Sequence, residues 1–289
     1  MDKINIKNKR VLITGGNGYL GNKLAKELLS KGARVYSIDI QSNSLCKEVE
    51  YFKVDITDFN QLSSVVHKIA PDLIYHLAAI LDRTRDFVLT NKIFQVNVNG
   101  TINLLNALKN VNYERLIFTS TSEVYGGDKI IAPFKEDDEF TPASPYSLSK
   151  YCAETAIKTF SDINHKDFII LRLFNFYGED MPKSFFIPQL IDKLKKNDDF
   201  DMTKGEQIRD FLHVNDVIKY LLIAAECKSK KNVINICSGK GITIKKIALE
   251  LKEKYKSHSK INFGAIPYRE NEVWEMFGDT NKMKMFLSE

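Results

Sequence analysis

Through the first 175 residues, short apolar runs alternate with amphipathic stretches, and no other feature of the chain constrains its fold as strongly. RVLIT leads into a segment with Leu20, Leu24 and Leu28 on one helical face, followed by ARVYSID and VEYFKVD. A helical stretch near 58–70, DLIYHLAA, a long helical stretch near 91–109, RLIFTSTS, a helix starting at Ser144 and DFIILRLFN follow. Strand then helix, repeated about six times, is the pattern of a parallel sheet covered on both faces. The expectation is a doubly wound α/β (Rossmann) fold over 1–174. Beyond Asn175 the rhythm breaks into mixed short elements, which predicts a smaller α/β substrate lobe over 175–289, interleaved with the end of the sheet.

At 289 residues the chain can bury an ordinary core without disulfide or metal staples. Its formal charge of +5 comes from 42 basic and 37 acidic residues spread along the sequence. Only short solvated runs such as KSKK at 228–231 stand out, which argues against nucleic acid as a partner and leaves room for a local phosphate site. Cys46, Cys152, Cys227 and Cys237 have no CxxC spacing, so neither a zinc cluster nor a disulfide framework is expected, and a reducing cytoplasm fits. MDKINIKNKR has no apolar run for a signal peptide, and YLLIAA at 220–225 is too short to span a bilayer.

The first strand runs into TGGNGYLG, where Gly15, Gly18 and Gly21 bracket a turn that opens a helix. Glycines there let the backbone approach a pyrophosphate, and the helix N-terminus offers N–H groups and partial positive charge. The second strand ends at Asp39, 18 positions after Gly21, where an acidic group meets the adenosine ribose hydroxyls. Its charge would repel the extra phosphate of NADP, so NAD is the expected cofactor. The alternative for Asp39 is a strand end facing water.

A tyrosine precedes a lysine by four positions three times: Tyr19 with Lys23, Tyr125 with Lys129, and Tyr146 with Lys150. Tyr19 lies inside the glycine turn and is expected to face the cofactor phosphates or the core. Tyr125 precedes Gly126, Gly127 and Asp128, a turn, so Lys129 does not follow it around a helix. Only Tyr146 begins a helix, with Ser144 as N-cap and Pro145 at the first helical position. A phenol titrating near 10 needs help to act as a base at neutral pH, and an ammonium one turn away supplies it. Thr121, at the carboxyl end of the fifth strand, is placed to hold a substrate oxygen.

TGGNGYLG, Asp39, DI at 55–56, HLAA at 76–79, NVNGT at 97–101, STSEVYG at 120–126, YSLSK at 146–150 and RLFNFYG at 172–178 occur in order over nearly the whole chain. Together they resemble the extended short-chain dehydrogenase/reductase family, and within it the nucleotide-sugar epimerases and dehydratases. The resemblance implies that Tyr146 is the catalytic acid or base, that Lys150 holds the nicotinamide ribose and tunes Tyr146, and that Thr121 binds the reacting hydroxyl. It implies a cofactor site built from Gly15, Asn17, Gly18, Tyr19, Leu20, Gly21, Asp39, Asp55, Ile56, Leu77, Ala78, Ala79 and Asn97 with Tyr146 and Lys150. It further implies substrate contacts at Thr121, Ser122, Asn175, Arg209 and Arg269, the arginines against a nucleotide diphosphate. A surface role is the alternative for both arginines. No metal is implied, and a homodimer through the helices near 91–109 and 145–162 is.

The expected activity is NAD-dependent oxidation at C4 of a nucleotide-diphosphate hexose or heptose, as a C4 dehydrogenase or 4-epimerase. Glu123 opens an alternative, because the family's 4,6-dehydratases carry a glutamate there; Ser122 replaces the aspartate that many of them pair with it. Glu123 reads equally as an ion-pair partner near the sheet edge. PYRENEVWEM is similar to a branch with 4-keto-sugar reductases, which favour NADPH and so conflict with Asp39. The chain ends at KMFLSE, where the resemblance leads to the expectation of an LGW-like turn and a final helix. An NAD-sensing regulator is the non-enzymatic alternative, opposed by the intact Thr121, Tyr146 and Lys150.

Overall fold

The computed structural model describes residues 5–82, 84–126 and 131–288. Lys129, with the turn proposed for 127 and 128, lies outside the described residues. Six strands arise in the first part of the chain: β1 (Arg10–Thr14), β2 (Arg34–Asp39), β3 (Glu50–Lys53), β4 (Leu73–His76), β5 (Arg115–Thr121) and β6 (Phe168–Leu173). Between them run α1 (Tyr19–Ser30), α2 (Phe59–Ile69), α3 (Thr90–Phe94), a π-helical turn at Gln95–Asn99, α4 (Gly100–Leu108) and α5 (Pro145–Asn164). The remainder contributes β7 (Asn175–Tyr177), α6 (Phe186–Lys196), β8 (Phe200–Met202), β9 (Ile208–Arg209), β10 (Phe211–His213), α7 (Val214–Glu226) and β11 (Asn232–Ile236). It closes with β12 (Ile242–Thr243), α8 (Ile244–Lys254), β13 (Ile261–Phe263), β14 (Glu275–Met276) and α9 (Asn281–Ser288).

The main sheet has seven parallel strands in the order β11-β6-β5-β4-β1-β2-β3. Alternate side chains of each strand enter opposite cores, as the two-residue period of a strand requires. Val11, Ile13, Tyr75 and Ile117 pack with α1, α7 and α9, whereas Leu12, Ile74, Leu116 and Phe118 pack with α2, α4 and α5. The strand order reverses direction between β1 and β4, which opens a crevice at the carboxyl ends where this class of sheet binds ligands. Arg115, buried beneath α7, donates to the carbonyls of Ala224, Cys227 and Ser229, so a cation closes the carbonyl-rich end of that helix.

Residues after Asn175 form three small sheets, β10-β7, β12-β9-β14 and β13-β8, and also return β11 to the edge of the main sheet beside β6. Asp210, fully buried between β9 and β10, accepts from the backbone N–H groups of Ser238, Gly239 and Gly278 and so ties three segments together. All four cysteines are free, and no cluster of metal-ligating side chains occurs among the described residues. Among the described residues no helix is long and apolar enough to cross a membrane.

Candidate active site

The glycine turn after β1 is shaped by close backbone approach. Gly15 has φ of 73°, and a Cβ there would lie 2.7 Å from the backbone nitrogen of Ala78; at Gly21 it would lie 2.3 Å from the Gly15 carbonyl oxygen. Gly18 caps α1 without a side chain, which leaves the helix entrance open to an anion. Asp39 accepts the backbone N–H of Asn17 at 3.0 Å, so the end of β2 is joined to the turn. The Asn17 side chain donates to the Asn43 carbonyl and accepts from the Leu45 N–H, pinning the loop beside Asp39. Asp55 is exposed, and Ile56 is buried beneath Gly100, where a Cβ would lie 2.6 Å from its Cδ1.

Tyr19 turns toward the second half of the chain. Its hydroxyl donates to the Glu179 carbonyl at 2.8 Å and its ring stacks on Phe176, while burial and the nearby Glu179 and Asp180 push its hydroxyl up to about 12. Asn97, in the π-helical turn, is buried and spends its amide on Ile80 and Ser149. Ser149 in turn donates to the Tyr146 carbonyl, so Asn97 fastens the segment after β4 to the first turn of α5.

Alpha-helix 5 begins as its sequence predicts. Ser144 and Ser147 form a reciprocal capping box and Pro145 occupies the first turn, a start stabilised by about 1 kcal/mol. This start places Tyr146 at the cleft with Lys150 one turn behind it, both buried. Lys150 Nζ lies 4.1 Å from the centre of the Phe118 ring; burial lowers its pKa to about 7, against the raising influence of Glu154. Beneath it His76 is enclosed between two hydroxyls, 2.7 Å from Thr14 and 2.9 Å from Thr101. Thr14 accepts from the Ala78 N–H and Thr101 donates to the Asn97 carbonyl, so Thr14 donates to Nδ1 and Nε2–H donates to Thr101. Burial and the Lys150 charge lower the His76 pKa to about 3, in keeping with this neutral tautomer.

Tyr146, Lys150 and Thr121 line one cavity of about 540 Å3, together with Leu20, Leu77 and Ala79 on the glycine-turn side. An adjoining cavity of about 190 Å3 holds Glu123, Ser122 and Arg85, and both share Thr121, Asn175, Arg209 and Arg269 in their walls. Thr121 ends β5 in an extended conformation and accepts the Glu123 N–H at 3.2 Å, which leaves its own O–H to donate. Glu123 therefore sits on a short 3-10 turn facing the smaller cavity. Arg209 pairs with Glu272 at 2.8 Å, and Arg269 is exposed at the rim.

Tyr125 is a structural keystone. Its hydroxyl donates to Asn235 at 2.6 Å and accepts from Arg172 at 2.8 Å, and its ring stacks on Phe134. Three residues to which the sequence assigned no role also line the cleft: Arg85, which donates to the carbonyls of Glu270 and Asn271, and Glu272 and Ser120, which lie inside the motifs PYRENEVWEM and STSEVYG. Ser120 was open to detection as the neighbour of Thr121 at a strand end; Arg85 and Glu272 meet partners too distant in sequence.

The profile of the NAD dependent epimerase/dehydratase family matches residues 11–237. The UDP-glucose 4-epimerase of Mycoplasma pneumoniae is 31% identical over 264 residues, 81% of this chain and 78% of that protein. The UDP-N-acetyl-alpha-D-glucosaminuronate decarboxylase of Bacillus cytotoxicus is 31% identical over 270 residues, 88% of this chain and 82% of that protein. Among solved structures, the UDP-N-acetylglucosamine 4-epimerase from Methanobrevibacter ruminantium M1 in complex with UDP-N-acetylmuramic acid aligns with a TM-score of 0.87 at 27% identity, covering 97% of this chain and 92% of that one.

Proposed function

Because the chain belongs to the NAD-dependent epimerase/dehydratase family, we propose that it oxidises C4 of a nucleotide-diphosphate hexose or heptose, as a C4 dehydrogenase or 4-epimerase. The observation that carries this reading is the convergence of Thr121, Tyr146 and Lys150 on one cavity that reaches from the glycine turn to Arg209 and Arg269. The steric needs of Gly15 and Gly21, the uncapped start of α1 and the buried Lys150 amine fit NAD. Gly15, Gly18 and Gly21 would hold its pyrophosphate and Asp39 its adenosine ribose. Asp55 and Ile56 would meet the adenine, and Leu77, Ala78, Ala79 and Lys150 the nicotinamide-ribose half. When bound, NAD supplies the oxidant for the carbinol carbon.

The protein's own part is proton handling and orientation. Thr121 donates its O–H to the C4 oxygen, and the Tyr146 phenolate takes the proton that oxygen loses. Lys150, one turn along α5, favours the anionic phenol, and the forming phenolate in turn favours the ammonium. Net epimerisation requires the 4-keto sugar to turn over within the cavity before reduction. Arg209 and Arg269 hold the diphosphate, with Asn175 and Ser122 as further substrate contacts. Residues 1–174 thus carry the cofactor, and 175–289 most of the nucleotide contacts.

We place the chain in a homodimer through α3, α4 and α5, whose neighbourhood exposes Phe87, Val88, Ile102 and Ile163. Light scattering after gel filtration tests this, and a monomer mass rejects it. The activity is tested by mass spectrometry and sugar analysis of products from GDP-, UDP-, CDP- and dTDP-sugars incubated with protein and NAD. A 4-keto sugar or C4 epimer from at least one of them is expected; unchanged sugars throughout overturn the reading.

A further inference from the structure

Ser120 is buried at 4% exposure, and its Oγ has no hydrogen-bond partner among the described residues. It nevertheless lines the cavity that holds Tyr146 and Lys150. A buried hydroxyl left unpaired costs stability, so a partner outside the polypeptide is the economical explanation.

The pleat of β5 fixes its direction. Ile117 enters the core under α7, whereas Phe118 enters the core under α5 and carries Lys150 over its ring at 4.1 Å. Ser120 is two residues beyond Phe118 and shares its face. It is paired in register with Arg172, whose guanidinium is held by Glu154 of α5. Thr121, still extended, points to the other face beside its register partner Leu173, which packs in the α7 core. Two adjacent hydroxyls at the end of one strand are therefore directed to opposite sides of the crest.

We propose that Ser120 binds the nicotinamide-ribose half of the cofactor, whose hydroxyls offer both donors and acceptors, while Thr121 serves the substrate. The inference rests on the NAD reading above. Ser120 acts here as a binding group and takes no proton from the substrate.

The test compares Ser120→Ala with wild type by calorimetric titration with NAD and with ADP, which lacks the nicotinamide-ribose half, and by thermal melting without ligand. The expected result is NAD binding weakened about tenfold, ADP binding unchanged, and an unliganded variant that melts no lower than wild type. Equal NAD binding by both proteins overturns the assignment, as does parallel loss of NAD and ADP affinity. A lower melting temperature in the unliganded variant also overturns it, because the hydroxyl then has an internal partner. Wild-type protein that binds no NAD overturns the cofactor reading as well, a result distinct from equal binding.

Discussion

Arg172 of β6 and Glu154 of α5 form a buried two-pronged ion pair, with Nε and Nη2 at 3.0 and 2.8 Å from the two carboxylate oxygens. Both side chains are essentially inaccessible, at 1% and 0% exposure. Removing one partner strands the other charge, which costs about 3–5 kcal/mol, whereas replacing both by apolar residues of similar size is often neutral or better. Glu154→Leu should lose stability on that scale in urea unfolding, and Glu154→Leu with Arg172→Met should recover only the part due to the stranded charge, because the Tyr125 hydroxyl and the Glu136 carbonyl lose their buried donor. Glu154 also raises the pKa of Lys150 one turn away. In Glu154→Gln the Lys150 amine should therefore titrate below about 7, read as a downward shift of the corresponding limb in the pH profile of NAD binding.

His76 makes the protein sensitive to acid. Its folded pKa of about 3 lies below the ordinary 6.5, so between these values the unfolded chain holds the extra proton. The stabilisation is fully present above pH 6.5 and is lost as pH falls toward 3. His76→Gln should make unfolding free energy less steep across that window by about 1.4 kcal/mol per pH unit, measured by denaturant titration at several pH values. An unchanged slope would mean that His76 is already charged in the fold.

The sheet was readable from sequence because apolar strands and amphipathic helices impose their periods locally. Ser144 and Pro145 do mark the helix start at Tyr146. Tyr19 also begins a helix, α1, with Lys23 one turn on, so the expectation that only Tyr146 starts a helix was wrong. What separates the two is that Tyr146 and Lys150 line the cavity, while the Tyr19 hydroxyl is spent on the Glu179 carbonyl. What tertiary pairing decides was not readable. Tyr125 meets Asn235, and Arg209 meets Glu272, across 110 and 63 positions respectively. Asn97 stood out in NVNGT, yet only the π-helical turn shows that its amide is engaged by Ile80 and Ser149.

The diphosphate contact proposed for Arg209 is a bidentate task that a lysine fills less well. Arg209→Lys should weaken UDP binding about tenfold and leave NAD binding unchanged, both measured by calorimetry. Glu272→Gln removes the carboxylate charge held 2.8 Å from Arg209, which keeps its bonds to the Ile208 and Trp274 carbonyls, and should not weaken UDP binding through loss of charge complementarity. A matching loss in both variants would make the pair structural and take Arg209 out of diphosphate recognition.

The two acidic-group assignments separate by reaction product. Tyr146 faces the larger cavity beside Lys150, and Glu123 faces the smaller one on its 3-10 turn. C4 oxidation needs the phenol, so Tyr146→Phe should lower turnover by about 10²–10⁴-fold while NAD still binds. Dehydration would additionally require a base for the C5 proton, the role Glu123 would fill. Under the C4 dehydrogenase or epimerase reading, Glu123→Gln should retain 4-keto or epimer formation, followed by mass spectrometry with deuterium exchange at C5. A wild-type product that has lost water and gained solvent deuterium at C5, both abolished in Glu123→Gln, would instead make the protein a 4,6-dehydratase.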